Sequence, residues 1–449
     1  MSKDQPQQQE EPFTSETMTP ALLAHAQKAL DACHPNLARK FLLRAYSVSP
    51  QNPHVLLQLG VVEMERMNAA GEDDDPEDVA DEEERDLDTE TRVHNCAIRA
   101  REYFLEAVRL WGEAGWVVDE IYEAHLYLGQ LSAGKVALEY YDSAANLLSV
   151  ALQKAGVDTM KATPAVSTSA ATSLLLRKLS NALCSMAEIY MTDCCDFEEA
   201  ESKCQSYAQR ATEIDPQNPE AHQTLASVRM SQCRPDDARK SLETSMDIWI
   251  NSIPQPILAS EQQQQASSSS SPSHPTPPAI PPYPARINLT KLLLELSMHD
   301  RALAVLKTIE EENDEDLELW YLYGYCLYRM GGGRGAVPQD GDYDNDDLDS
   351  DVAGPAVEVA DDRKKELWNE AAECFEHFMQ LYERLAEMRK EAMAADGEGM
   401  DDGDGEGNEN EEEMYTHAVH LLRSEIEPFL GGEEEGGMDV DGGEDAMDV

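Results

Sequence analysis

One spacing recurs down this chain and constrains its fold more than any other feature: a small residue, three positions, a large residue, two positions, and a small residue again. It reads Ala38, Leu42, Ala45, then Ala100, Phe104, Ala107, then Ala144, Leu148, Ala151. A further copy begins Ala200, Cys204 and runs one turn longer to Ala211; then come Ala238, Leu242, Ser245 and Ala302, Leu306, Ile309. Ala371, Phe375, Phe378 close the series with larger residues. Positions i, i+4 and i+7 share one helical face. Small residues on that face let a second helix cross closely, and the large one fills the gap. The partner helix is readable too: Leu56, Leu59, Gly60; Leu128, Gly129; Leu183, Met186, Ala187, Tyr190; Leu225, Ala226; and Trp320, Tyr323, Gly324, Leu327. Two near-identical strings, SPQNP at 49–53 and DPQNP at 215–219, mark the turns.

A first helix with W-x2-L-G-x2-Y, a second with A-x3-F and a closing proline, over about 34 residues, is the tetratricopeptide pattern. The expected fold is therefore all-α, a tetratricopeptide-type α-solenoid of about seven helical pairs with acidic disordered insertions and an acidic tail. Residues 1–18 form a disordered N-terminus. Repeats one to five occupy 19–253, with an acidic insertion at 70–90. A Gln, Ser and Pro linker spans 254–285, and repeats six and seven span 286–395, with a second acidic insertion at 331–362. An acidic linker (396–413) leads to a capping helix (414–430), whose Tyr415, Val419, Leu422 and Ile426 share one face. A terminal repeat needs such a cover. Residues 431–449 are the tail.

Charge decides the class of partner. The chain carries 89 acidic against 35 basic residues, for a formal net charge of -54. Such a field repels nucleic acid and anionic membranes and attracts basic proteins. No apolar stretch approaches the ~20 residues of a membrane span. The Gln- and Glu-rich start lacks the basic and apolar regions of a signal peptide, so cytoplasm and nucleus are the expected compartments. The nine cysteines form no C-x-x-C pair and fit as small core residues.

Catalytic and metal patterns fail on inspection, and no cofactor, metal or enzymatic activity is expected. The glycines at 331–333 and 335 have no lysine placed to grip a phosphate. His417 and His420 share a helical face without a third ligand. Asp342, Asp344, Asp346 and Asp347 lack the turn glycine and bidentate glutamate of a calcium loop.

The first helices of such a solenoid line its concave face. In the last repeat the second, fifth, ninth and twelfth positions carry Glu318, Tyr321, Tyr325 and Tyr328. Tyrosine offers a large contact area, a polar tip and a face for cations. These tyrosines could equally be core beneath the capping helix. Other concave positions include Glu123, Gln130, Glu188, Met191, Glu220 and Gln223. Repeat domains that hold acidic chaperone C-termini use a clamp of Lys, Asn, Lys and Arg. The corresponding positions here are Leu23, Gln27, Gln58, Glu123 and Tyr127, so that clamp is absent.

With its repeat series, acidic tail and placement of insertions, the chain resembles, over roughly Met18 to Leu430, the fungal tetratricopeptide-repeat chaperones dedicated to assembly of the fourth protein of the large ribosomal subunit (L-four). That resemblance implies a groove cradling a basic loop of the ribosomal protein until it joins the pre-ribosome, in a one-to-one complex. It places partner contacts at Glu123, Glu188, Glu318, Tyr321, Tyr325 and Tyr328. Charge alone leads to the same class, because loops rich in Lys and Arg need shielding before assembly. Two other readings stay open: an acidic histone chaperone with a repeat split by an acidic insertion, and a scaffold or adaptor subunit of a larger complex.

Overall fold

The computed structural model describes residues 15–69, 89–114, 121–159, 169–250, 280–333, 361–396 and 406–431. Among them there is helix and turn but no strand. The expected insertions at 70–90 and 331–362, the linker at 254–285 and the tail at 431–449 fall almost wholly outside the described residues.

The helices form two compact units, Met1–Gln232 and Cys233–Val449. The first holds α1 (Ser15–Asp31), α2 (Pro35–Val48), α3 (Pro53–Ala69), α4 (Thr89–Ala114), α5 (Ile121–Gln130), α6 (Gly134–Lys154), α7 (Ala170–Met191), α8 (Ala200–Ile214) and α9 (Pro219–Ser231). The second holds α10 (Pro235–Trp249), α11 (Tyr283–Glu295), α12 (His299–Glu310), α13 (Leu317–Met330), α14 (Asp361–Asp396) and α15 (Glu406–Leu421). A π-helical turn (Leu422–Ile426) and α16 (Glu427–Gly431) follow. Within each unit the helices pair in sequence order: α1 on α2, α3 on α4, α5 on α6 and α7 on α8 in the first unit, α11 on α12 and α13 on α14 in the second. This is the pairing that the spacing predicts.

The packing explains the spacing. Ala38, Leu42, Ala45, Ala100, Phe104, Ala107, Ala144, Leu148, Ala238, Leu242, Ser245, Ala302, Leu306, Ile309, Ala371, Phe375 and Phe378 are completely buried. Only Ala151 of that series is half-buried. Opposite them stand the glycines of the first helices. A Cβ on Gly324 would come within 2.8 Å of the Phe375 ring, and one on Gly60 would overlap Phe104. Each large buried side chain contributes on the order of 1.5–3 kcal/mol, so the crossing is held only while the glycine stays bare.

Turn chemistry closes each pair. Asn52 and Asn218, from the two repeated strings, turn their side-chain oxygens back on the chain, accepting from the backbone N–H of His54 at 3.0 Å and of Glu220 at 3.2 Å. The proline after each asparagine opens the helix, where its missing N–H costs nothing. Asn218 also donates to Ser180 and Asn181, tying this turn to α7. Between the helices of a pair, Cys33, Cys233 and Ser297 take φ values of 57°, 55° and 57°, a conformation that favours glycine.

The capping helix departs from expectation at one end. It starts at Glu406, inside the segment read as an acidic linker (396–413), rather than at Met414. Glutamate is a good helix former, and acidic residues suit the positive end of the helix dipole. Ala418, Leu421, Leu422 and Ile426 are buried against Trp368, Phe375 and Phe378 of α14 and against α13.

One buried ionic cluster stands in the first unit. Glu63 of α3, fully buried, accepts from Arg39 Nε of α2 at 2.6 Å, Arg66 Nη1 at 2.9 Å and Arg99 Nε of α4 at 3.2 Å. Burial pushes the Glu63 carboxyl up, but the three guanidinium groups together outweigh it and hold it below the usual range.

Candidate functional site

In the first unit the face of α5, α7 and α9 carries three of the carboxylates singled out by sequence. Glu123 is ion-paired with Lys178 of α7, whose ammonium also lies 5.2 Å from the Tyr122 ring centroid. Glu188 accepts from Thr224 Oγ1 of α9 at 3.2 Å. Glu188 is exposed, yet crowding by protein around it pushes its carboxyl up; the Thr224 hydrogen bond opposes that rise and the charge of Glu220 adds to it. Glu220 is raised for the same first reason, desolvation, against a weak opposing pull from Arg177. That guanidinium is bound elsewhere, donating to Asp215 at 2.5 Å and to the Gln217 carbonyl at 2.8 Å. Among the described residues neither Glu188 nor Glu220 has a cation within ion-pairing distance.

In the second unit, Glu318 of α13 pairs with Lys291 of α11 at 2.5 Å. Tyr321 is hydrogen-bonded to His417 Nδ1 of α15 at 2.8 Å, and burial lifts its phenol to about 12. Tyr325 stacks on Tyr321, ring centroids 6.3 Å apart, and the Arg329 guanidinium lies 5.9 Å from its ring centroid. Both tyrosines are half-buried beneath α15. Tyr328 corrects the expectation of an accessible tyrosine at the twelfth position. It is fully buried, stacks on Trp368 at 5.4 Å and donates its hydroxyl to Glu425. The physical reason is that Trp368 of α14 and Glu425 of the π-helical turn close over this position of α13.

Lys178 and Lys291 escaped the sequence reading. Each sits on a neighbouring first helix, far in sequence from the glutamate it neutralises, and no local spacing marks it. Their effect is to divide the six predicted residues. Glu123 and Glu318 are already matched with lysines, and the three tyrosines pack beneath the C-terminal helix. Glu188, with its neighbour Glu220, keeps an unmatched charge.

This architecture and its acceptor-rich face define an all-α tetratricopeptide-type repeat protein. The chain is similar to two curated fungal proteins, each named "Probable assembly chaperone of rpl4". One is from Schizosaccharomyces pombe, at 31% identity over 231 residues, covering 51% of this chain and 58% of that protein. The other is from Emericella nidulans, at 31% identity over 214 residues, covering 45% and 50%. The chain thus spans about half the length of these relatives. Among solved structures it resembles "Assembly Chaperone of RpL4 (Acl4) (Residues 1-338)", with 29% identity and a TM-score of 0.51, over 70% of this chain and 96% of that one. No family profile matches the chain. The resemblance to the fungal assembly chaperones, read first from the repeat series, is borne out by these likenesses.

Proposed function

We propose that this chain is a dedicated chaperone of a basic ribosomal protein, the fourth of the large subunit, and that it shields a basic loop until that protein joins the pre-ribosome. The names of the relatives support the partner. The observation that supports the site is the Glu188 and Glu220 pair: two carboxylates on adjacent first helices, both pushed toward protonation and neither matched by a cation. An arginine or lysine of the partner laid between them would favour their ionised forms. A charge-assisted hydrogen bond of this kind contributes about 1.5–3 kcal/mol. Glu123 would join by exchanging its lysine for a cation of the partner; in the second unit, taken by itself, Glu318 would do the same beside the exposed part of Tyr321 and Tyr325. No reaction is assigned to the chain. The complex is one-to-one, forms in cytoplasm or nucleus, and excludes nucleic acid and membrane.

The test is calorimetry with purified large-subunit protein four. Glu188→Gln with Glu220→Gln should weaken binding at least tenfold at near-physiological salt, while total RNA and anionic vesicles show no binding. Recovery of histones as the stoichiometric partner would replace this reading with the histone-chaperone one.

A further inference from the structure

A second surface of the first unit has the chemistry of a cation site, built on α6 and the α7–α8 turn and sharing with the Glu188 face only the end of α7. The turn before α6 and the turn between α7 and α8 are joined where the Gly134 N–H donates to Asp193 Oδ2 at 2.8 Å. Beside this junction opens a cleft of about 540 Å3. Its floor is apolar: Leu138 of α6, Tyr190 near the end of α7 and Phe197 of the α7–α8 turn. Its rim carries Glu139, Asp196, Glu198 and Glu199, all exposed. None of the four has a basic side chain within ion-pairing distance among the described residues. Lys135 is the one cation lining the cleft. Its ammonium lies 4.5 Å from the centroid of the Phe197 ring rather than on any carboxylate.

We propose that this cleft docks a lysine or arginine side chain of a basic polypeptide segment, separately from the α7–α9 face. An apolar floor beneath an acidic rim suits a side chain with a methylene stem and a charged head. The ring of Phe197 already accepts an ammonium from Lys135, so the geometry for a cation on that face exists and Lys135 is the internal competitor for it. A metal ion fits less well, because no three of the described His, Cys, Asp and Glu side chains converge to hold one. The long-range field of a chain with net charge -54 supplies the attraction, and the cleft supplies the seat.

The experiment uses the full chain and a fluorescein-labelled peptide of alternating lysine and glycine, followed by anisotropy at near-physiological salt. Lys135→Gln should tighten binding about fivefold by removing the competitor. Lys28→Gln, an exposed lysine of α1, changes net charge equally and should shift affinity by less than about twofold, since distant charges are screened. Phe197→Leu keeps an apolar floor without the ring and should weaken binding about fivefold. The exposed double variant Glu198→Gln with Glu199→Gln should do the same without touching the core. Equal responses to the two lysine variants, or wild-type affinity in both Phe197→Leu and the double glutamine variant, would overturn the proposal. A loss confined to Glu188→Gln with Glu220→Gln would also overturn it and leave the α7–α9 reading standing, so the two sites fail separately.

Discussion

Tyr321 and His417 meet through a 2.8 Å hydrogen bond across 96 residues of sequence, and that bond ties the capping helix to the last repeat. The other imidazole nitrogen, Nε2, is buried with no partner among the described residues. Burial, with the charge of His420, holds His417 below its ordinary 6.5, against a smaller opposing pull from Glu425. The groups facing it are Tyr321 and Tyr325 of α13 and its own neighbour His420.

A histidine with a lowered value in the folded state prefers to be neutral there, so its contribution to stability is present above pH 6.5 and is lost as pH falls. Docking of α15 should therefore weaken between about pH 7 and pH 5. Hydrogen exchange in 406–421, corrected for intrinsic rates, should quicken over that range. His417→Asn should flatten the response; a protection profile independent of pH in the unaltered chain would refute the assignment.

Glu63 gives the same sign, from a carboxylate instead of an imidazole. Its carboxyl is held down by three arginines, so its stabilisation is present above the ordinary glutamate value and is lost as pH falls through the lowered one. Glu63→Gln leaves buried guanidinium groups uncompensated and should cost the first unit about 3–5 kcal/mol in urea unfolding. A change below ~0.5 kcal/mol would show that the cluster is not coupled to folding.

Gly324→Ala inserts a methyl group into the Phe375 ring. Overpacking of this kind costs about 1–3 kcal/mol, and the loss should appear in the second unit's thermal transition. Gly112→Ala, where a Cβ meets nothing within 4 Å, is the control and should be neutral or slightly stabilising.

Glu188 and Glu220 are raised above the ordinary 4.5, so the folded chain favours their neutral forms and loses stability as pH rises through the raised values. Exchange of both for Gln should raise the thermal midpoint at neutral pH, and the gain should vanish below about pH 4.5. The same variant should bind a basic partner more weakly. Gain in one measurement with loss in the other marks a functional charge; loss in both would mark a structural one.

The fold was legible because each helix pair repeats one local rule. Ala100 and Phe104 announce the crossing, and Gly60 answers it from the preceding helix. The start of α15 was not legible, since Glu406 to Glu413 has the composition of a linker and becomes helical only where Ala418 and Leu421 find α13 and α14. The site was legible by position but not by state. Counting positions finds Glu123 and Glu188 on equal terms; only the fold brings Lys178 to Glu123 and leaves Glu188 without such a match. Tyr328 was placed on the correct helix, yet whether it meets solvent or Trp368 depends on a segment 97 residues away, at Glu425.

The cluster at Glu63 draws its arginines from α2, α3 and α4, so one carboxylate fixes the register of three helices at once. Slipping any of them by a turn, about 5.4 Å, would break at least one of these bonds. The alignment of α3 with α4 is thus set from inside the pair, by Glu63 and by Gly60 under Phe104. Doubling the length of the stretch of chain that joins them, 70–88, would add only about 0.6 kcal/mol of closure entropy, against the larger cost of disturbing Glu63. The second repeat can therefore accept insertions of very different length and composition between its two helices, and a tag or reporter domain placed there should leave the pair intact.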